Sequence, residues 1–201
     1  MKTKMKFFTV FMVAALALSF AFTTSVKKTI VIDAGHGGSD FGATIEKQSE
    51  KQIVASIAKK IRSLGLNSNI KIVLLRAEDS NFELSDRIEK INNINPDLLI
   101  SLHVNASKNQ EQNGIEAYVN EKSDFYDQSL QAATNLVEAI SNENLAKKEV
   151  KNAKFYLLRH AKCPALILEM GYLSNKNDRE YISSSLGQDE IAKSIFEVIE
   201  K

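Results

Sequence analysis

Short apolar runs alternate with amphipathic segments along most of the chain. Residues 29–33 form a continuous apolar run rich in β-branched side chains, which predicts a strand buried on both faces. After Ser49, apolar residues recur at helical spacing as far as Gly65, which predicts an amphipathic helix with Ser49 as its N-cap. The apolar positions of this helix are Ile53, Val54, Ile57, Ala58, Ile61 and Leu64.

The same alternation continues to the carboxyl end. Apolar runs predict further strands at residues 70–75, 98–104, 114–120, 155–158 and 165–170. Further helices are predicted from a capping box at Ser80 and Glu83 up to Pro96, at about residues 125–142, and around residues 192–199. The Lys- and Glu-rich stretch 143–151 is expected to be a solvated face. Strands separated by helices indicate an α/β fold: a single domain with a mostly parallel, twisted sheet of about six strands and helices on both faces.

The amino end has the pattern of a secretory signal. Lys2, Lys4 and Lys6 precede the uncharged apolar run 7–22, and small polar residues follow it. The run has 16 residues, fewer than the roughly 20 that span a bilayer as a helix. We therefore expect a signal peptide at 1–25, a domain at 26–201, and no stable membrane span after cleavage. An exported protein of the periplasm or cell-wall space is predicted.

The amino-acid composition limits the kinds of ligand and metal site that the chain can have. Lys and Arg number 26 against 25 Asp and Glu, so the chain has no basic excess with which to bind nucleic acid. The single Cys163 excludes an intramolecular disulfide and a multi-cysteine metal site, and it is expected to be a small buried apolar residue. Only three histidines are present, at 36, 103 and 160, so a metal site would need carboxylates as well.

Three residues whose side chains can bind a metal or transfer a proton lie at or just after the ends of predicted strands. His36 comes shortly after the first strand, His103 lies near the end of the third, and Glu169 lies near the end of the run 165–170. Ligands of parallel sheets bind beyond the carboxyl ends of the strands, so these side chains are expected at one edge. Glu50 opens the helix after the first strand and faces the same edge. Two imidazoles and a carboxylate, with a second carboxylate nearby, are what a catalytic zinc requires.

Structural roles remain open for several of these residues. An acid in the first turn of a helix is favourable through the helix dipole, so Glu50 could serve only as a capping residue. His103, between apolar neighbours, could be a hydrogen-bonded core histidine. Asp33 could orient His36 or could simply end its strand. Glu169 is the stronger candidate, since a carboxylate within an apolar run is costly to bury without a role.

Eight stretches of the sequence form a recurring set of motifs: Ile-Val-Ile-Asp-Ala-Gly-His-Gly-Gly-Ser-Asp (30–40), Ser-Glu-Lys (49–51), Leu-Arg-Ala-Glu-Asp (75–79), Leu-Ser-Asp-Arg (84–87), Pro-Asp-Leu-Leu-Ile-Ser-Leu-His-Val-Asn-Ala (96–106), Gly-Ile-Glu-Ala-Tyr (114–118), Tyr-Leu-Leu-Arg (156–159) and Pro-Ala-Leu-Ile-Leu-Glu-Met-Gly-Tyr-Leu-Ser-Asn (164–175). In their order, these motifs resemble those of a known family, the type-3 class of zinc-dependent N-acetylmuramoyl-L-alanine amidases of bacterial cell walls. One departure is Ala34, where the family usually has proline.

The resemblance implies one Zn²⁺ per chain, with His36, Glu50 and His103 as its ligands and Glu169 as the catalytic carboxylate. It also implies that residues 26–201 form a catalytic amidase domain, which hydrolyses the amide between the muramic acid lactyl group and L-alanine of peptidoglycan. Regulated family members carry a helical insert over the zinc, whereas residues 106–118 here form only a short polar loop. Peptidoglycan and an unidentified activator are the partners that we consider for this chain.

Two alternatives are kept. A zinc carboxypeptidase or other metallo-peptidase acting on wall peptides could use similar ligands, but its usual His-x-x-Glu pair is absent because His36 and Glu50 are 14 residues apart. A non-catalytic peptidoglycan-binding regulator is the second alternative. It would be favoured by a missing ligand or a missing Glu169, and neither is missing.

Overall fold

A six-stranded β-sheet runs through the computed structural model, which describes residues 27–201. The predicted signal peptide therefore lies outside the described residues. Within residues 27–201, none of the helices combines the length and the apolar character needed to cross a bilayer. The strands are β1 (Lys28–Ala34), β2 (Thr44–Ile45), β3 (Gln48–Ser49), β4 (Ile70–Leu74), β5 (Leu98–Asn105), β6 (Ile115–Val119), β7 (Lys147–Asn152) and β8 (Ala165–Tyr172).

The sheet has the order β4-β1-β5-β8-β6-β7, and β2 with β3 forms a separate two-stranded hairpin. The first four strands of this order are parallel to one another. β6 runs antiparallel to β8, and β7 is parallel to β6. The predicted α/β fold with a mostly parallel sheet of about six strands is confirmed.

Helices cover both faces of the sheet, as predicted. The helices are α1 (Glu50–Leu64), α2 (Leu84–Ile94), α3 (Tyr126–Ile140), α4 (Tyr156–His160), α5 (Lys176–Ser183) and α6 (Ser185–Ile199). The helices contribute to two hydrophobic clusters, one on each face of the sheet. Apolar residues of α1, α3, α5 and α6 pack on one face, and those of α2 and α4 pack on the other. Cys163 belongs to the second cluster, where burial raises the pKa of its thiol to about 11.

Side chains of β5 alternate between the two clusters. Leu98, Ile100 and Leu102 belong to the larger cluster, while Leu99 points into the smaller one. The alternation leaves His103 on the same face as Leu99, which is the face covered by α2 and α4. These two helices cover only part of their face, so its carboxyl-end half opens into a cleft.

α1 forms where the spacing of apolar residues predicted it. Ile53, Val54, Ile57 and Ile61 are buried along one side of this helix. Ser49 occupies the N-cap position in an extended conformation, although its side chain makes no capping hydrogen bond. The helix therefore begins at Glu50, whose carboxylate lies in the first turn.

The strand predicted at residues 155–158 is wrong, because this segment is the short helix α4. Its backbone makes helical hydrogen bonds from Arg159 N–H to the Phe155 carbonyl and from Ala161 N–H to the Leu157 carbonyl. Leu157 and Leu158 are both buried, whereas a strand would point consecutive side chains to opposite faces. Two aromatic residues of high β propensity, Phe155 and Tyr156, within a short apolar run concealed this helix in the sequence.

One further expectation is wrong, and two elements of the structure were not predicted. The capping box at Ser80 does not form: α2 begins at Leu84 with Glu83 as N-cap, and no side chain caps it. The stretch 143–151 is indeed mostly exposed, but part of it is the edge strand β7, which lacks the apolar alternation that reveals strands. Helix α5 was not predicted; it begins after Asn175, whose side chain accepts hydrogen bonds from two backbone N–H groups.

Candidate metal centre and catalytic cleft

His36, Glu50 and His103 meet at the carboxyl edge of the sheet. The Glu50 Oε1 atom lies 3.0 Å from His36 Nε2 and 2.9 Å from His103 Nδ1. One donor atom from each of the three residues lies within 4.8 Å of the other two. The three side chains come from a loop, a helix N-terminus and a strand that are far apart in sequence, as the sequence predicted.

Glu50 is held in place by backbone N–H groups as well as by the imidazoles. Val104 N–H donates to Oε1 at 3.0 Å and Ala43 N–H donates to Oε2 at 2.9 Å. Burial opposes ionisation of Glu50, but the hydrogen bonds from His103 and His36 hold its pKa well below the ordinary value. The Glu50 carboxylate is therefore ionised and directed at the two imidazoles, as a metal ligand shared with them must be.

His36 lies in the loop after β1 and has a left-handed backbone, with φ of 60°. Its Nδ1 atom pairs with Asp40 Oδ2 at 2.8 Å, which leaves Nε2 to face Glu50. Burial lowers the pKa of His36, but the hydrogen bonds and charges of Glu50 and Asp40 outweigh burial and raise the pKa to about 9. A carboxylate on the second nitrogen is the usual way of orienting a metal-bound histidine.

Two glycines make room for this arrangement. A side chain on Gly35 would place its Cβ 2.4 Å from the His103 ring. A Cβ on Gly42, where φ is +63°, would lie 2.4 Å from Glu50 Oε2 and 2.7 Å from the His36 ring. The glycines are required because the backbone approaches the three donor side chains closely.

Glu169 is the fourth predicted residue, and it lies beside His103. The two residues are register partners on β5 and β8, so their side chains stand on the same face of the sheet. Burial raises the pKa of Glu169 to about 7, and its Oε2 atom has no hydrogen-bond partner among residues 27–201. A carboxyl group that can hold or release a proton near neutral pH suits general acid–base chemistry.

Asp33 does not contact His36 through its side chain, so of the two roles left open for it, direct orientation of His36 is not supported. Its carboxylate pairs with Arg87 and accepts a hydrogen bond of 2.9 Å from Ser101 Oγ, and the Asp33–Arg87 pair is almost fully buried. Asp40 is the acid that holds His36. The chain reverses direction between Gly37 and Asp40, which the sequence pattern did not reveal.

Two arginines hold the loop that carries His36. Arg87 donates to the carbonyls of Ala34 at 3.1 Å and His36 at 2.6 Å. Arg76 donates to the carbonyls of Ala34 at 2.8 Å and Gly35 at 3.0 Å. Both guanidinium groups are buried, and they satisfy carbonyls that the loop would otherwise leave unpaired.

The sequence reasoning also missed Glu116, which is buried next to Glu169. The two carboxylates are cross-strand partners on β6 and β8. Glu116 accepts hydrogen bonds from Tyr118 at 2.8 Å and Asn105 at 3.0 Å, and it pairs with Lys151. Burial opposes ionisation, but these partners lower the pKa of Glu116. Glu116 lies in the Gly-Ile-Glu-Ala-Tyr motif, and nothing in that local sequence indicates that it faces a second carboxylate across the sheet.

The donor set fits a zinc ion. Zinc prefers imidazole nitrogen and carboxylate oxygen at about 2.0–2.2 Å, and a catalytic zinc keeps three protein ligands and one open position. Donor atoms around a tetrahedral zinc lie roughly 3.3 Å apart, close to the 2.9 and 3.0 Å that separate Glu50 Oε1 from the two histidine nitrogens. A cavity of about 590 Å³ opens beside His36, His103 and Glu169, so a substrate can reach them.

An α/β sheet that carries a His–Glu–His donor set and a neighbouring buried carboxyl at its carboxyl edge is typical of metal-dependent hydrolases. The Amidase_3 family model, described as N-acetylmuramoyl-L-alanine amidase, matches residues 30–201. The chain belongs to this family.

Individual relatives agree with the family. The chain is 32% identical over 177 residues to N-acetylmuramoyl-L-alanine amidase LytC of Bacillus subtilis, covering 85% of this chain and 34% of LytC. An N-acetylmuramoyl-L-alanine amidase structure from Clostridium difficile 630 superposes with a TM-score of 0.81 at 30% identity, covering 87% of this chain and 96% of that one. The CwlD amidase of Clostridioides difficile, solved in complex with the GerS lipoprotein, has a TM-score of 0.77 at 28% identity, with coverage of 86% and 96%.

The chain spans only part of the length of several curated relatives that it matches. It covers 34% of LytC and between 56% and 64% of three others. The similarity therefore concerns part of each of those proteins.

We predict that Arg87→Leu lowers the free energy of unfolding by about 3–5 kcal/mol, because it leaves the Asp33 carboxylate buried without its partner. Urea unfolding followed by circular dichroism measures this loss. Arg62→Leu, which removes an exposed arginine of α1, is the control and should cost less than about 1 kcal/mol. The double variant Asp33→Leu/Arg87→Leu should recover part of the loss, and an equally small effect of both single arginine variants would contradict the prediction.

The pKa of Glu169 predicts how the stability of the metal-free protein depends on pH. The folded state holds the Glu169 proton up to about pH 7, whereas the unfolded chain releases it near the ordinary value of 4.5. The stability that this proton contributes is fully present below pH 4.5 and is lost as the pH rises to about 7. Relative to Glu169→Gln, wild-type protein in chelator should therefore lose unfolding free energy over this interval and not above pH 8. Parallel stability curves for the two proteins would contradict the assignment.

Proposed function

We propose that this chain is a zinc-dependent N-acetylmuramoyl-L-alanine amidase, which hydrolyses the amide between the lactyl group of N-acetylmuramic acid and L-alanine of the peptidoglycan stem peptide. The convergence of the His36, Glu50 and His103 donor atoms beside Glu169 carries the proposal. Family membership supports the choice of bond, and the open cleft supports a polymeric substrate.

The proposed zinc ligands are His36, Glu50 and His103. A zinc ion held by them would supply a Lewis acid that polarises the scissile carbonyl and lowers the pKa of water. Asp40 would keep Nε2 of His36 directed at the metal, because it occupies Nδ1. The two arginines that bind the carbonyls of the His36 loop would keep this ligand at a fixed distance from the sheet.

Glu169 is the proposed catalytic residue. It lies at the edge of the cleft beside His103, and its raised pKa allows it to accept a proton from attacking water and deliver it to the leaving amine of L-alanine. Glu116 would not take this role, because Tyr118, Asn105 and Lys151 already occupy its oxygens.

The other two candidate functions have less support. A wall metallo-peptidase would share the donor set but usually takes its ligands from a His-x-x-Glu pair, and this chain spaces His36 and Glu50 by 14 residues. A non-catalytic wall-binding protein would not need the buried, unpartnered Oε2 of Glu169 in the cleft.

Export and partners follow from the same proposal. Residues 1–25 would direct the protein to the periplasm or cell-wall space, where peptidoglycan is its substrate. A separate activator is compatible with the relative CwlD, which was solved with a lipoprotein. Within residues 27–201, the loop after β5 carries no helix over the candidate metal centre, so the cleft is open.

The direct test incubates residues 26–201 with isolated peptidoglycan and counts newly exposed L-alanine amino termini. We expect termini that appear with zinc, disappear with chelator and return when zinc is restored. Bound zinc with new termini at other residues would indicate a peptidase. Bound zinc with no new termini would overturn hydrolysis by this chain alone, and adding a candidate activator would then separate a regulated amidase from a binding protein.

Two substitutions separate the proposed roles. Glu169→Gln should reduce turnover by about 10²–10⁴-fold while zinc content stays near one per chain, because the proton-transfer group is lost but the ligands remain. His36→Ala should lose both zinc and activity. Zinc content by atomic absorption and turnover by the amino-terminus assay distinguish the two variants. Near-normal turnover by Glu169→Gln, or full zinc occupancy in His36→Ala, would refute the respective role.

A further inference from the structure

An apolar arm extends the cleft away from the candidate metal centre. The same cavity that reaches His103 and Glu169 continues between the start of α2 and the start of α4. Leu84, Phe155 and Tyr156 line this arm and are exposed by 53%, 45% and 37%. Large apolar side chains exposed together on the wall of a cavity indicate a binding surface.

The two rings of this surface, which we call the aromatic wall (Phe155 and Tyr156), are held by neighbours. Phe155 packs edge-on against Tyr118 with ring centroids 5.3 Å apart, and the Tyr118 hydroxyl donates to buried Glu116. Tyr156 lies 4.3 Å from the His160 ring. Each ring is therefore supported on one side by a neighbouring ring, which reduces the conformational entropy lost when a ligand binds against it.

Away from the candidate metal centre, the charges of the cleft disfavour an acidic occupant. Among the described residues that line this arm, the positively charged side chain is Arg87, which is already paired with Asp33 and three backbone carbonyls. Asp40 and Glu83 add negative charge at the rim. The stem peptide of peptidoglycan carries carboxylates, whereas its N-acetylated sugars are uncharged and present flat C–H faces that pack on aromatic rings.

We infer that the aromatic wall binds the N-acetylated sugar rings of the glycan strand next to the muramic acid whose amide is cut. This inference rests on the proposed amidase function and deepens it, because it assigns the glycan to the α2–α4 side of the cleft. The efficiency of amide hydrolysis then depends on the glycan strand as well as on the scissile amide.

The first test measures binding without catalysis. The N-acetylglucosamine tetramer is titrated into wild-type protein and three variants, with NMR chemical shifts as the readout. Phe155→Leu, which keeps apolar bulk but loses the flat ring, should weaken binding about fivefold, and Phe155→Tyr should restore it. Leu186→Ala, which truncates a 68% exposed side chain of α6 away from the cleft, is the control. Absence of tetramer binding to wild-type protein, or equal binding by Phe155→Leu, would overturn the inference.

The second test compares two soluble substrates with the same stem peptide: N-acetylmuramoyl-peptide and a glycan chain of several disaccharides. Wild-type protein should have the higher kcat/KM on the longer glycan, mainly through a lower KM. Phe155→Leu should reduce the ratio of the two kcat/KM values about fivefold, because the lost stacking affects only the longer substrate.

The outcomes separate the two proposals. No hydrolysis of either substrate by zinc-loaded wild-type protein would contradict the amidase function, while tetramer binding would still report on the aromatic wall. Hydrolysis of both substrates with an unchanged ratio in Phe155→Leu would reject the glycan assignment alone. A ratio that responds to trimming of the stem peptide instead would place the peptide on the aromatic wall.

Discussion

Four hydrogen-bond donors from three separate segments converge on the carboxylate of Glu50. His36 and Ala43 reach it from the loop and turn after β1, and His103 and Val104 reach it from β5. A buried carboxylate is unfavourable unless every oxygen is compensated, so this one residue constrains the positions of all its partners. The helix α1 that delivers Glu50 is in turn anchored by its apolar side on the sheet. Packing of an ordinary amphipathic helix thereby fixes the geometry of the candidate metal centre.

The arrangement of β1, β5 and β8 explains why distant residues could be assigned to one site. Parallel neighbours end at the same edge, so His36, His103 and Glu169 were expected together from strand positions alone. Glu50 was ambiguous in the sequence, because a helix dipole alone would favour an acid there. Only the structure shows its oxygens facing both imidazoles.

Other parts of the fold could not be predicted from the local sequence. The short apolar run that contains the start of α4 was ambiguous between strand and helix, and in the structure Leu157 and Leu158 are both buried in the second cluster. The contact between Asp33 and Arg87 spans 54 residues, and nothing in either local sequence indicates the partner. The same is true of Glu116, whose importance comes from its position opposite Glu169 across two antiparallel strands. Periodicity reveals which residues face the core, but not which polar groups they meet there.

The lysines of β7 affect whether two copies of this protein can associate through the edges of their sheets. This edge strand exposes Lys147, Lys148 and Lys151 along a row of backbone groups, one side of which has no neighbouring strand in the part of the chain described. Charged side chains on an exposed edge strand, lysines above all, oppose pairing with the edge strand of a second copy. This edge of the sheet is thereby protected from extension into a fibre.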